Sequence, residues 1–261
     1  MEQLSHPLTL AILPSSWASS LSYLNTVDKI DWHSHFCYKI VISLDNPFDC
    51  TLGSTKFEGI YGFLLNRNVP NCSNSPNSTL LGTIIEPDSA WAIRIRALLA
   101  EEDSVDIERF LTKKQIGNIL PLNYKDLSND TLTTHLSSQL DIFFKCCDHA
   151  PIIDKRIQAT LGYIDVNINK SISVSDLANL TKLSIGRTRH LFSEQMGISF
   201  SQYFLWRRIK LTMASAIMDK NNLKKACVRY GFTDQSHFNR SFSRIFGVTP
   251  KAIVRQSRVL V

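Results

Sequence analysis

The stretch GFTDQSHFNRSFSRIFGVTP, residues Gly231 to Pro250, governs how the rest of the chain is read. It sets Ser236 beside His237, with Asp234 two residues earlier, and so offers either a nucleophile with its base or one face of a helix. Neighbouring residues on a helix point about 100° apart. Ser236 and His237 therefore do not face one another as a nucleophile and its base must, and no oxyanion-hole glycine turn precedes the serine. Phe238, Phe242 and Ile245/Phe246 fall on one apolar stripe. Gln235, Ser236, Asn239, Arg240, Ser243 and Arg244 are left outside, with His237 at the edge. The stretch reads as a polar surface built to touch something.

Working outward, the preceding residues supply a short helix and a tight turn. Asn222 starts NLKKACVRY, Gly231 ends it, and Thr233 or Asp234 caps the helix of the opening stretch. The same arrangement occurs upstream. SVSD gives Ser173 an acidic residue three positions later, a capping box that opens a helix to about Lys182. Ser184 caps SIGRTRHLFSEQM, and Gly197 is placed to end it. In that second helix Leu191 and Phe192 go inward, while Gly186, Arg187, Arg189, His190 and Ser193 line the other side. Ser199 with Gln202 forms another capping box and opens the long helix SFSQYFLWRRIKLTMASAIMD. Two helix-turn-helix pairs, 174–182 with 184–196 and 222–230 with 234–246, are thus joined by one helix over 199–219. At about 1.5 Å per residue that helix spans roughly 30 Å. Major grooves on one DNA face recur about every 34 Å, so two recognition helices fit adjacent grooves. Ahead of them Ile153, Ile157, Leu161, Ile164 and Ile168 repeat at helical spacing, and Thr249-Pro250 opens a last short helix.

GFTDQSHFNRSFSRIFGVTPKAIVRQ closely resembles the signature of the AraC/XylS transcription regulators. LSIGRTRHLFSEQMGISFSQY resembles that family's first recognition helix and the start of its connecting helix. The resemblance covers about residues 152–256. It implies two helix-turn-helix pairs that bind double-stranded DNA, usually activating transcription near promoters. Carried over by position, the base readers are Gly186, Arg187, Arg189 and His190 in the first pair. In the second they are Gln235, Ser236, His237 and Arg240. Ser193, Arg207, Lys210, Asn239 and Arg244 are expected at phosphates. Three positions depart from the family pattern. Thr188 stands where a long apolar residue is frequent, which predicts looser packing of the first pair. Lys210 replaces a frequent Arg, and Ala226-Cys227 stands where Ile-Ala is usual.

The first half reads as strands: Phe36–Leu44, Lys56–Leu65 and Thr79–Ile85, separated by turn clusters at 46–49 and 66–78. Helical periodicity follows in DSAWAIRIRALLAEE, SVDIERFLTKKQ and DTLTTHLSSQLDIFFKCC. The family resemblance implies a cupin-like β-barrel here, followed by helices for dimerisation, with Leu132–Cys147 as the candidate dimer helix. The fold class expected is α+β: a regulatory domain over 1–148, then an all-α DNA-binding domain over 152–256. Tyr38, Ile40, Ile42, Tyr61 and Phe63, or their alternates, would line the barrel. His33-Ser34-His35 could begin a metal site on one strand face, but a cupin site wants a carboxylate soon after and another His later. The next acid is Asp45, and Asn71 stands after Pro70 where a His often does. No metal or cofactor is expected.

Charge divides along the same line. Residues 1–150 hold 11 Lys+Arg against 17 Asp+Glu, and residues 151–261 hold 18 against 6. An excess of 12 positive charges on the second part suits a polyanion. No apolar run approaches the roughly 18 residues of a membrane span. MEQLSHPLTLAILPSSW has no basic start and carries Glu2, so the cytoplasm is expected. Six cysteines without CxxC spacing read as reduced packing residues, with Cys146 and Cys147 the pair that could sense oxidants. The expected partners are double-stranded DNA, a small-molecule effector, RNA polymerase and a second copy of the chain through the N-terminal half, with no membrane. Two rivals use the same features: a cupin-type barrel enzyme with a basic localising domain, and a protein that applies its basic half to RNA or a membrane.

Overall fold

The computed structural model describes residues 9–14, 19–25, 28–120, 153–218, 222–247 and 258–260, with a few positions between 127 and 142 and at 249–250. The chain divides into two compact units, one of residues 1–150 with 243–261 and one of 151–242.

The first unit holds two sheets. Strands β1 (Thr9–Pro14), β2 (Ser19–Asn25), β3 (Lys29–His33), β4 (Tyr38–Ser43), β5 (Phe48–Leu52) and β6 (Thr55–Ile60) come first. They are followed by β7 (Gly62–Leu65), β8 (Asn71–Asn74), β9 (Leu80–Ile85), β10 (Ser104–Asp106) and the C-terminal β11 (Arg258–Leu260). The seven-stranded sheet runs β10-β7-β4-β9-β2-β1-β11 and the four-stranded one β3-β8-β5-β6. All pairings are antiparallel except β1 with β11. Val41, Phe63, Leu65 and Leu80 of the larger sheet pack on Phe48, Cys50, Leu52 and Ile60 of the smaller one. This is a cupin-like barrel interior. The other face of the larger sheet is covered by helix α1 (Ala90–Leu99), whose Trp91, Ile95 and Leu99 are buried against Tyr38, Ile40, Ile42 and Leu64. Ser89 caps α1, its hydroxyl accepting from the Ala92 N–H.

Several local readings give way to tertiary pairing. Phe48–Leu52 and Asn71–Asn74 lie in or against segments that read as turns, yet both become strands because β8 and β5 satisfy one another's backbone groups. SVDIERFLTKKQ is not one helix. Ser104–Asp106 pairs with β7, Ile107–Arg109 makes a single 3₁₀ turn, and only α2 (Lys113–Gly117) is α-helical. Tyr38, Ile40 and Ile42 face α1, and the barrel side of β4 carries Lys39 and Val41 instead. Phe63 does line the interior, opposite Val41. Most of Leu132–Cys147 lies outside the described residues, as do Cys146, Cys147 and the helix after Pro250. Of the described positions there, Leu136 is buried with the α1 core and Ile142 is exposed.

The second unit is helical: α3 (Lys155–Val166), α4 (Val174–Thr181), α5 (Ile185–Met196), α6 (Phe200–Met218), α7 (Leu223–Arg229) and the start of α8 (Gln235–Phe246). The caps are those the residue types demand. Ser173 and Asp176 form a full capping box, as do Ser199 and Gln202. Ser184 accepts from the Arg187 N–H and Asn222 from the Lys225 N–H. Gly197 ends α5 at φ +67°, in the left-handed region. Thr188 is buried, and its hydroxyl is satisfied: it donates to the Ser184 carbonyl at 3.0 Å and lies 3.3 Å from the Thr181 hydroxyl. The core of this unit centres on α6, where Tyr203, Trp206, Ile209 and Met213 are buried. Phe192 of α5 stands edge-on to both Phe200 and Tyr203. Removing the indole from this core leaves a large cavity. Trp206→Ala is expected to cost about 3–5 kcal/mol of stability, read as an earlier urea midpoint of the full chain's helical transition.

Candidate nucleic-acid interface and barrel site

The recognition faces follow from which residues the core consumes. On α5, Thr188, Leu191, Phe192 and Met196 are buried, and Gly186, Arg187, Arg189, His190 and Ser193 are all exposed. On α8, Phe238 and Phe242 are buried, Phe238 edge-on to Phe232 and tilted against Phe242. Gln235, Ser236, His237, Asn239, Arg240 and Arg244 are exposed. Each helix thus brings its expected base readers onto one free face. Arg and Gln there carry the donors and acceptors that pair with guanine and adenine edges.

Asp234 has a different task from orienting a catalytic histidine. Its Oδ1 accepts from the His237 backbone N–H at 2.7 Å, which caps α8. The His237 ring packs edge-on against Phe232. His190 lies 3.8 Å from Glu194, one helical turn on. Of the residues expected at phosphates, Ser193, Asn239 and Arg244 are exposed and Lys210 is half-buried. Arg207 is engaged within the protein: its Nη2 donates to Asp165 of α3 at 2.7 Å, and its side chain is 17% exposed.

The sheet unit holds a polar cluster in an apolar setting. Lys39 is buried, and its Nζ donates to His33 Nε2 at 3.2 Å and to Asn71 Oδ1 at 3.1 Å. The Asn71 amide nitrogen in turn donates to the His33 and Val69 carbonyls. His33 Nδ1 lies 2.7 Å from the Asp31 carbonyl, which makes Nδ1 the donor and Nε2 the acceptor. The His33 nitrogen that a metal would take is therefore the one facing the ammonium. His35 lies edge-on to His33, buried, with no hydrogen-bond partner at either ring nitrogen among the described residues. Among the described residues no group of three or more His, Cys, Asp or Glu could hold a metal. Burial, then the Lys39 charge, holds His33 down to about 3 and His35 well below its usual range. Burial also brings Lys39 down to about 7. Among the described residues Cys50, Cys72 and Cys227 are free thiols. Burial pushes Cys50 up to about 12 and Cys227 up to about 11, which leaves them as packing groups with little thiolate. Sequence reading passed over Lys39, although a lone lysine inside FCYKIVISL was a visible signal.

Comparison with known proteins agrees with this geometry. The family described as "Helix-turn-helix domain" matches residues 177–256, from within α4 past the end of α8. Residues 177–256 thus carry a helix-turn-helix domain. It is 23% identical to the probable transcriptional regulator LumQ of Photobacterium leiognathi over 244 residues, 87% of this chain and 93% of that one. Two crystal structures of ToxT from Vibrio cholerae strain SCE256 share the fold. An apo variant aligns over 95% of this chain and 99% of its own, with TM-score 0.60 and 14% identity. The wild type bound to an unsaturated fatty acid aligns over 93% and 96%, with TM-score 0.56 and 13% identity. Among the described residues no helix is long and apolar enough to cross a membrane.

The buried cluster predicts a stability profile in pH. The unfolded chain holds the Lys39 proton up to the ordinary 10.5, whereas the folded chain releases it near 7. Between those values the unfolded state binds more protons, so this group makes stability rise with pH across that window. His33 acts likewise lower down, stability being lost as pH falls from 6.5 towards 3. Urea midpoints measured from pH 4 to 10 should show both slopes, and Lys39→Met should abolish the upper one and make the lower one shallower, because the Lys39 charge helps hold His33 down.

Proposed function

We propose that the chain reads DNA with α5 and α8 in adjacent major grooves and activates transcription from the sites so bound. It acts by binding, without catalysis, in the cytoplasm. Residues 152–256 form the DNA-binding part and residues 1–148 the regulatory part. The observation that carries this reading is the pairing of two exposed polar helix faces across one connecting helix. That helix has 19 residues, about 28 Å of rise, close to the groove repeat of about 34 Å. Gly186, Arg187, Arg189 and His190 read one groove, and Gln235, Ser236, His237 and Arg240 the next. Ser193, Asn239, Arg244 and Lys210 hold phosphates, and Arg207 joins them only if its bond to Asp165 opens. A second copy through the N-terminal half, and RNA polymerase beside the bound site, complete the reading.

Selection of duplexes from a random pool by the full chain tests it. Two short boxes about one helical turn apart are expected, in paired copies where the chain dimerises. Salt-sensitive binding without any enriched sequence would overturn it. On the selected duplex Arg240→Ala should cost about 1–3 kcal/mol and relax one base position. Uniform weakening on every duplex would instead make Arg240 a phosphate contact.

The barrel is proposed to take an effector with a carboxylate and an apolar body. Lys39 supports this: its two hydrogen-bond partners are neutral, and no carboxylate touches it among the described residues. A buried ammonium is stabilised by an opposite charge, and an acid of the kind bound to ToxT supplies one. Oleic acid, added at sub-micellar concentration, should raise the melting temperature of the wild type and leave that of Lys39→Met unmoved. A wild type that does not respond removes this part of the reading.

A further inference from the structure

The connecting helix α6 does more than set a distance. Arg208, at its ninth position, faces two segments, the link from α3 into the first helix pair and the turn inside the second. Its Nε donates to the Ile168 carbonyl at 2.9 Å and its Nη2 to the Lys170 carbonyl at 2.7 Å, both in the turn that leads into the first pair. Its Nη1 donates to the Gly231 carbonyl at 3.1 Å, in the turn between α7 and α8. The guanidinium carbon lies 4.2 Å from the Phe204 ring centroid, so the fork is also held against a wall. One planar cation thus joins three turn carbonyls that are 23 to 40 residues away in sequence.

Gly231 is shaped to this contact. Its φ is +80°, a left-handed conformation that L side chains rarely adopt. A Cβ there would lie 2.6 Å from Arg208 Nη2, 2.8 Å from its Cζ and 3.0 Å from the Asn169 carbonyl. Backbone freedom and room for the guanidinium are therefore required at the same residue. The half-buried setting also disfavours the charged form by desolvation, so this cation sits where its hydrogen bonds must compensate. Beside it Arg207 ties α6 to Asp165 of α3, so neighbouring arginines on one helix brace different partners.

We propose that Arg208 is a positioning residue that locks the two helix pairs to α6, so that α5 and α8 are held at one fixed relation and the spacing between two DNA boxes is itself read. This rests on the two-groove reading above. A rigid connection keeps the second recognition helix at high effective concentration over its box once the first is bound, and a loose one forfeits that gain. Lysine cannot replace the fork, because a single ammonium does not present the planar, divergent donors that reach three carbonyls.

The test uses the full chain and four duplexes: the selected two-box duplex, the same with one or two base pairs inserted between the boxes, and the same with one box scrambled. Wild type should lose about tenfold in affinity on insertion, because the rigid pairs no longer meet both grooves. Arg208→Lys should bind the two-box duplex about tenfold more weakly than wild type, bind the one-box duplex within about twofold of wild type, and lose most of the insertion penalty. Gly231→Ala, which pushes a methyl group into the guanidinium, should do the same by an independent route. Loss on one-box and two-box duplexes alike in both variants would overturn the assignment and make Arg208 a general stabiliser. An unchanged insertion penalty in Arg208→Lys would overturn it too, leaving two-groove reading intact. A wild type that binds one box as well as two overturns the two-groove reading and this assignment with it.

Discussion

The buried face of α6 is the constraint on which the DNA-binding part depends. Tyr203, Trp206, Ile209 and Met213 supply the apolar surface of one helix, and Phe192 of the first pair packs edge-on against its Phe200 and Tyr203. α4 is eight residues long and α7 seven, too short to hold together as isolated helices in water. Packing on a shared 19-residue helix supplies what their length does not. Because the apolar faces of α5 and α8 are buried, their polar faces are left outward. Exposure of the reading residues is thus a consequence of core formation, with no separate device needed to arrange it.

The same economy of partners explains two cations, the half-buried Arg208 and the buried Lys39. Arg208 and Lys39 are each withdrawn from water and each satisfied by neutral oxygen or nitrogen acceptors instead of carboxylates. For Arg208 the acceptors are backbone carbonyls at turns, which fix geometry, so its role is to brace. For Lys39 they are the side chains His33 and Asn71, and among the described residues no carboxylate touches it. A braced cation belongs to a rigid frame, and an unbalanced one to a place where an anion changes the energy.

Much of the helical half could be read directly from residues. The caps at Ser173, Ser184, Ser199, Asn222 and Asp234 and the glycines at 197 and 231 act within one turn of where they sit, so their meaning is local. The apolar stripes of α5 and α8 repeat every three to four residues, which separates inside from outside without reference to the rest of the fold. Thr188 is the instructive departure. The residue type suggested a loose first pair, and the Thr181 and Ser184 oxygens that satisfy its hydroxyl restore a closed core.

The sheet half resisted because its information is not local. Every residue of β4 is buried, so alternation cannot say which side is the barrel interior and which meets α1. Strands β5 and β8 are short and sit among turn residues, and only their mutual pairing makes them strands. Lys39 finds Asn71 across 32 residues, and Arg208 finds Gly231 across 23 and Ile168 across 40. By itself the sequence determined the helix ends, the exposed polar faces of α5 and α8, the division of charge and the helix-turn-helix character of the second half, because each is written within a turn or two of chain or in its composition. Tertiary structure alone decided the barrel's inner face, the Lys39 cluster and the Arg208 brace, because each depends on which distant backbone or side-chain atoms come within about 3 Å.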